Sequence, residues 1–404
     1  MTYDVQRLRD RMPALASGTA FFDGPGGTQT PDLVARAMLE AMTGPLSNRG
    51  RLTPAERNAD DITMAARAAM GDLLGAPEAG IVFGRSATAL AFDMARTLAQ
   101  DWDEGDEIIV TRLDHDANIR PWVRAADRAG VKVHWAPFDP QTAEVDPAGI
   151  GDLLSERTRL VAVTGASNLL GTRPDLEAIG RIVRGSDAVW AVDGVHLTAH
   201  AFIDLAVIGP DLYFCSPYKF LGPHLGVLAA SPAFLATLHP DKLRPSTEVV
   251  PERFELGTLP YEMLAGVTAA VDVLADLVPG DETTMSRRAR LMRSMHALER
   301  HEDSLHARLR RGLEGVPGIR LFSNARHRTP TELFALGEIP SGDVAAGLAA
   351  RGVNAPNGSF YALEAAEWLG LGEAGAVRAG LAPYTNAQDV DRLVEGVMEL
   401  AGSR

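Results

Sequence analysis

AVDGVHLTAHAFIDLAVIGPDLYFCSPYKFLGPHLGVL, residues 191–228, decides how the rest of the chain is read. A β-branched run ends in Asp193. LYFCS (212–216) forms the next such run and ends near Lys219, 26 residues after the aspartate; GVLAAS (226–231) follows. Both side chains then reach the same edge of a sheet. Working outward, AGIVFG (79–84), EIIVT (107–111), VKVHWAP (131–137), RLVAVTGAS (159–167) and AVWAVDG (188–194) read as further strands. Helical patterns separate them. In SATALAFDMARTLAQ, Leu90, Met94 and Leu98 recur on one face, and ANIRPWVRAADRAG runs to a terminal glycine. Strands alternating with helices predict an α/β fold, with a mostly parallel sheet flanked by helices. Ligands in such sheets sit at the C-terminal strand ends.

From about residue 284 the texture changes. TMSRRARLMRSMHALERHEDSLHARLRRGLEGV predicts a long Arg-rich helix, and IRLFS and shorter units follow. A last helix starts at Asn386, with Asp389 three residues on and Val390, Leu393, Val397 and Leu400 on its apolar face. The expected organisation is a large domain over 31–283 and a smaller C-terminal α/β domain over 284–404. Residues 1–30 are expected to pack with the small domain. DGPGGTQTP (23–31) reads as a loop.

Of 404 residues, 46% are apolar, which supports a sizeable core and argues against disorder. A net charge of −14 argues against a general nucleic-acid binder. A single cysteine, Cys215, excludes an intrachain disulfide and a multi-cysteine metal cluster, and no metal site is expected. It fits a cytoplasmic location. The N-terminus has no apolar signal-peptide core, and no run of apolar residues is long enough to span a membrane. Lysine occurs only at Lys132, Lys219 and Lys242.

An acid and a lysine at neighbouring strand ends suit pyridoxal phosphate. The lysine takes the aldehyde as a Schiff base, and the carboxylate keeps the pyridine nitrogen protonated. On spacing alone, a surface lysine beside a loop aspartate is the plainer reading.

The blocks from FFDGPGGTQTP to VRAGLAPYTNAQDVDRL change that balance. Together they resemble the class V aminotransferase family, especially its cysteine desulfurase-like branch. The resemblance implies a fold-type-I pyridoxal-phosphate enzyme, a homodimer with shared active sites, acting on a small amino-acid substrate. It implies that Lys219, in SPYKFLGP, carries the cofactor and that Asp193, in VDGVH, pairs with the pyridine nitrogen. His196 stands where desulfurases usually carry glutamine and is expected to hydrogen-bond the phenolic oxygen. His115, in LDHDANI, is expected to stack on the ring and to move protons near neutral pH. Asn168, in ASNLLGT, is expected near the same oxygen substituent and the substrate. Ser86, Ala87 and Thr88 open a helix and are expected to hold the phosphate. Ser216 and Tyr218 are expected beside it, although Tyr218 replaces a histidine common in desulfurases. Gly257 and Thr258, in ELGTLP, are expected to reach the phosphate of the neighbouring subunit. Arg378, in VRAGLAPYTN, is expected to grip the substrate α-carboxylate with its guanidinium fork.

The chain departs from the desulfurases in one respect. They carry a persulfide-forming cysteine on a loop of the small domain. The corresponding loop, RGVNAPNGSFYA (351–362), has none, and Ser359 lies near the expected place. Cys215 is four residues from Lys219 and reads as a small buried residue. After cofactor transfer to the substrate, Lys219 is free to act as a base at Cα. Loss of a β-substituent makes a lyase, which is the favoured reading. Reprotonation at the cofactor makes an aminotransferase, and reprotonation on the other face of Cα makes an epimerase. A non-catalytic cofactor-binding regulatory module is the alternative of another class. No appended DNA-binding module or basic tail supports it. Arg49 and Arg51, in SNRGRL, read equally as contacts to an anionic substrate group or as solvated charges.

Overall fold

The computed structural model describes residues 3–279, 284–372 and 374–402. A short strand β1 (Ala20–Phe21) precedes the strands of the large sheet. These are β2 (Ile81–Gly84), β3 (Glu107–Thr111), β4 (Lys132–Ala136), β5 (Thr158–Thr164), β6 (Val189–Asp193), β7 (Leu212–Cys215) and β8 (Gly226–Ala230). Their order is β2-β8-β7-β6-β5-β3-β4. Only β8 runs against its neighbours. The other six therefore end at one edge of the sheet.

Both faces of the sheet are covered, which is why its strands read as continuous apolar runs. Successive side chains alternate between two cores. Ile109, Val161, Val163, Val192 and Tyr213 point into one, and Ile108, Val110, Leu160, Ala162 and Leu212 into the other. Leu90, Met94 and Leu98 of the helix Ala87–Leu98 join the second core with Trp122 and Ala126 of the helix Arg120–Ala129. Gly130 ends that last helix at φ 70°, a left-handed cap open to glycine without strain. The chain steps outward from β3 to β4, then returns to β5 and walks the other way. The crevice opens where that order reverses.

The second sheet contains β9 (Ile319–Leu321), β10 (Thr331–Leu336), β12 (Asn357–Gly358) and β13 (Ala376–Gly380), antiparallel in the order β12-β13-β10-β9. Between them in sequence, β11 (Val353–Asn354) pairs in parallel with β1. Ala20 and Phe22 are buried in the core beside this sheet, with Leu393 and Val397 of the helix Ala387–Gly402. Asn386 and Asp389 cap that helix reciprocally, each accepting the other's backbone N–H at 2.9 and 3.1 Å. The sequence boundary at 283/284 adjoins residues 280–283, which lie outside the described residues. The helix Arg287–Glu314 bridges the two halves. Leu291, Met295 and Leu298 pack into the large-sheet core, and Leu305, Leu309 and Leu313 into the small-sheet core.

Candidate active site

The C-terminal ends of five strands of the large sheet surround one cavity. β2 leads to Ser86, Ala87 and Thr88, β3 to His115, and β5 to Asn168. β6 leads to Asp193 and His196, and β7 to Ser216, Tyr218 and Lys219. Thr164, Ala166, Ala117 and Val195 also line it. The sequence reading passed over these four because their side chains carry no distinctive chemistry.

Lys219 ends the 3-10 turn Pro217–Lys219 and is the only buried lysine. Its ammonium donates to the carbonyl of Pro25 in the glycine-rich loop and lies 4.9 Å from the Tyr218 ring centre. Burial, reinforced by Arg378, pulls its pKa down to about 7 against the pull of Asp23 and Asp193. The amine is thus available as a neutral nucleophile near neutral pH. Asp193 ends β6 and accepts the N–H of Val195 at 2.8 Å. Burial pushes its carboxyl up to about 6, with that hydrogen bond and Lys219 opposing. A cation in the cavity would restore its charge.

His115 caps a short turn, its Nδ1 accepting the N–H of Ala117 at 3.0 Å, so Nε2 carries the proton. Burial, together with Lys219 and Arg378, drops its pKa to about 4. The ring is therefore neutral at pH 7. The expectation that it titrates near neutrality fails because burial penalises its charged form. Beneath it, Asp114 is wholly buried, accepts from Thr111 and from Asn118 at 2.6 Å, and is pushed up to about 8 by burial. This group braces the turn that carries His115.

Arg378 comes from β13 and is 1% exposed, so it is no solvated surface charge. Its Nη1 donates to the backbone oxygen of Asn168 at 3.1 Å, and its Nη2 to the carboxylate of Asp23. Asp23 escaped the sequence reading because it lies 355 positions away. The guanidinium is 3.7 Å from the Phe360 ring centre. Asn168 Nδ2 donates to the Phe360 carbonyl at 2.9 Å, and the N–H of Asp116 to that of Tyr361 at 2.7 Å. Phe360 and Tyr361 are held at φ 52° and 59°, a left-handed conformation costly for aromatic residues. These bonds close the loop around Ser359 onto the His115 turn, and the Tyr361 ring lies 5.6 Å from the imidazole.

Three further residues lie away from the cavity. Gly257 and Thr258, expected to serve the neighbouring subunit, are exposed on a loop outside it. Arg49, read equally as a substrate contact or a solvated charge, is paired with Asp60 at 2.8 Å and Glu252 at 3.0 Å. Cys215 is fully buried among core residues, and burial raises its thiol pKa.

Pyridoxal phosphate fits these residues. Ser86 accepts the N–H of Ala89 at 3.1 Å and starts the helix Ala87–Leu98 at the cavity, where free amide groups suit a phosphate. Gly226 backs this cradle so closely that a Cβ there would lie 2.1 Å from the Ser86 backbone. Asn168 Oδ1 and His196 Nδ1 are buried without a partner on residues that line the cavity. These are groups that a polar ring would engage. The fold and the cavity together define a pyridoxal-phosphate-dependent enzyme.

More narrowly, the chain belongs to the family described as aminotransferase class-V, whose profile matches residues 20–393. An uncharacterised protein of Mycobacterium tuberculosis is 33% identical, covering 99% of this chain and 100% of that protein. A probable cysteine desulfurase of Pseudomonas putida is 30% identical, covering 78% of this chain and 77% of its own. The crystal structure of the cysteine desulfurase CsdA from Escherichia coli is 26% identical with a TM-score of 0.87, covering 99% and 100% of the two chains. Among the described residues, no helix is long and apolar enough to cross a membrane.

Proposed function

We propose that this enzyme is a lyase that eliminates a β-substituent, such as a thiol, from a cysteine-type amino acid without a persulfide relay. The observation that carries this reading is the loop closed over the His115 turn. It offers Phe360 and Tyr361 and no thiol, and the single cysteine is buried in the core. The likeness to cysteine desulfurases supports chemistry at a carbon–sulfur bond.

In this reading Lys219 holds the cofactor, Asp193 faces the pyridine nitrogen, and the start of the helix Ala87–Leu98 receives the phosphate with Ser216 and Tyr218. Bound there, pyridoxal phosphate supplies a sink for the electron pair left at Cα. Arg378, whose Nε has no partner among the described residues, and Asn168 take the α-carboxylate. Lys219, whose amine is neutral in part at pH 7, takes the Cα proton. The β-substituent then leaves with its bonding electrons. His115 walls the cavity as a neutral ring. The proposal includes a cytoplasmic homodimer in which exposed Gly257 and Thr258, beside exposed Leu256, reach the partner's phosphate site. It also includes a large domain over 31–283 and a small one over 284–404 joined by residues 1–30.

The test is the visible absorption of reconstituted wild type beside Lys219→Ala, before and after a panel of amino acids, with product analysis. Release of a thiol with pyruvate and ammonia supports the lyase. An intact 2-oxo acid would make it an aminotransferase, an inverted amino acid an epimerase, and a spectral change without product a binding module. A band that Lys219→Ala leaves untouched would remove the assignment of the anchor.

A further inference from the structure

His196 presents its two ring nitrogens to two different surroundings. Nε2 lies 2.9 Å from the hydroxyl of Thr329 and 3.2 Å from that of Thr331. Both threonines belong to the segment that enters β10, in the small sheet, and both are buried. Nδ1 is buried with no partner among the described residues, on a residue that lines the cavity. The groups around the ring are His200, whose ring centre is 4.8 Å away, Lys219 from the end of β7, and Arg378 from β13. Glu302, on the long helix, accepts behind His200 at 2.9 Å. Burial and these neighbours keep the His196 imidazole neutral, so it has one N–H and one lone pair.

Counting hydroxyl protons decides which nitrogen carries the hydrogen. Thr329 has a second acceptor, the carbonyl of Gly171 at 3.2 Å. The Thr331 hydroxyl makes its hydrogen bond to His196 Nε2. If Nε2 carried the proton, Thr331 would be left with a buried hydroxyl proton and no acceptor for it among the described residues. If Nε2 is the acceptor, both hydroxyls turn a hydrogen towards its lone pair, Thr331 alone and Thr329 shared with the Gly171 carbonyl, and neither proton is stranded.

We propose that Thr331, with Thr329, is a positioning residue that fixes His196 as the Nδ1–H tautomer and so aims a hydrogen-bond donor at the phenolic oxygen of the cofactor. The small sheet thereby sets the electronics of a ring bound at the edge of the large one. The inference rests on the reading that His196 faces that oxygen.

The test uses holoenzyme labelled with 15N-histidine, with the His196 signals assigned by their loss in His196→Gln. A protonated Nδ1 and an unprotonated Nε2 in wild type and Thr331→Ser, with mixed tautomers in Thr331→Val, are the expected result. A protonated Nε2 in wild type overturns the proposal. The second readout is the pH titration of the visible absorption of the bound cofactor. A donor to the phenolic oxygen stabilises its anion. Thr331→Val should therefore move the midpoint up by roughly 0.3 pH unit, short of the about one unit that complete loss of the hydrogen bond is worth, and Thr331→Ser should restore it. Cofactor stoichiometry should stay unchanged. If His196→Phe shifts the midpoint and Thr331→Val does not, the threonine role fails while the site reading stands. If His196→Phe shifts nothing, the site reading itself fails.

Discussion

Replacing Lys219 by methionine keeps the length of the side chain and removes its charge. In the unfolded chain a lysine holds its proton up to about pH 10.5, whereas burial in the cavity releases it at about 7. Each pH unit of that gap is worth about 1.4 kcal/mol, so the buried amine destabilises the cofactor-stripped protein by ~5 kcal/mol below pH 7. Because the folded-state pKa is depressed, the unfolded state binds the extra proton between pH 7 and 10.5. Wild-type stability therefore rises with pH across that window, and the penalty is gone above it. Lys219→Met escapes the penalty but leaves the Pro25 carbonyl without its donor, a loss of about 1 kcal/mol. The variant should be more stable than wild type by ~4 kcal/mol at pH 6.5–7, and the advantage should shrink to nothing by about pH 10. Urea unfolding of both stripped proteins across that range gives the difference directly. The titration of Asp114 does not involve Lys219 and cancels, whereas that of Asp193, which Lys219 holds down, falls near pH 6, at the acid edge of the range. A difference that stays flat with pH, or a variant less stable than wild type at pH 7, would refute the reasoning.

Glu255→Gln removes one side of a buried fork, in which Arg67 donates at 2.9 and 2.8 Å and the Phe83 N–H at 2.9 Å. Leaving Arg67 buried without that partner should cost about 3–5 kcal/mol by urea denaturation, and an unchanged midpoint would contradict it. Asp193→Asn should keep the cofactor at full stoichiometry yet lower kcat by roughly 100-fold, as expected when a buried charge facing the ring is lost. An unaltered kcat would take Asp193 away from the pyridine nitrogen. Cys215→Ser should retain most of the activity, and complete loss with the cofactor still bound would give the thiol a chemical role.

Much of the architecture was legible because burial on both faces writes a parallel strand as a plain apolar run. β3, β5 and β6 are such runs, and glycine or aspartate marks where each meets the cavity. The residues on those ends were readable for the same reason, since a motif beside a strand fixes its own position. The contacts that join distant parts of the chain were not. Asp23 meets Arg378, and Thr331 meets His196, across separations that no local pattern records. SFYA gives no hint of two consecutive left-handed residues, because the Asn168 side chain and the Asp116 N–H hold their carbonyls from distant parts of the chain. His115 lines the cavity, and its lowered pKa was not legible, since burial is a property of the assembled fold.

The helix Arg287–Glu314 has 28 residues, about 42 Å of rise, and each end is fixed in a different core. Chain cut near residue 284 would divide the sequence where its texture changes but not where its packing does. A fragment ending there would lack Leu291, Met295 and Leu298 from the large-sheet core, and the released piece would carry them exposed. The two halves are therefore inseparable as expression units. Any closing motion between them must bend or roll a single shared rod whose midpoint carries Glu302 against His200.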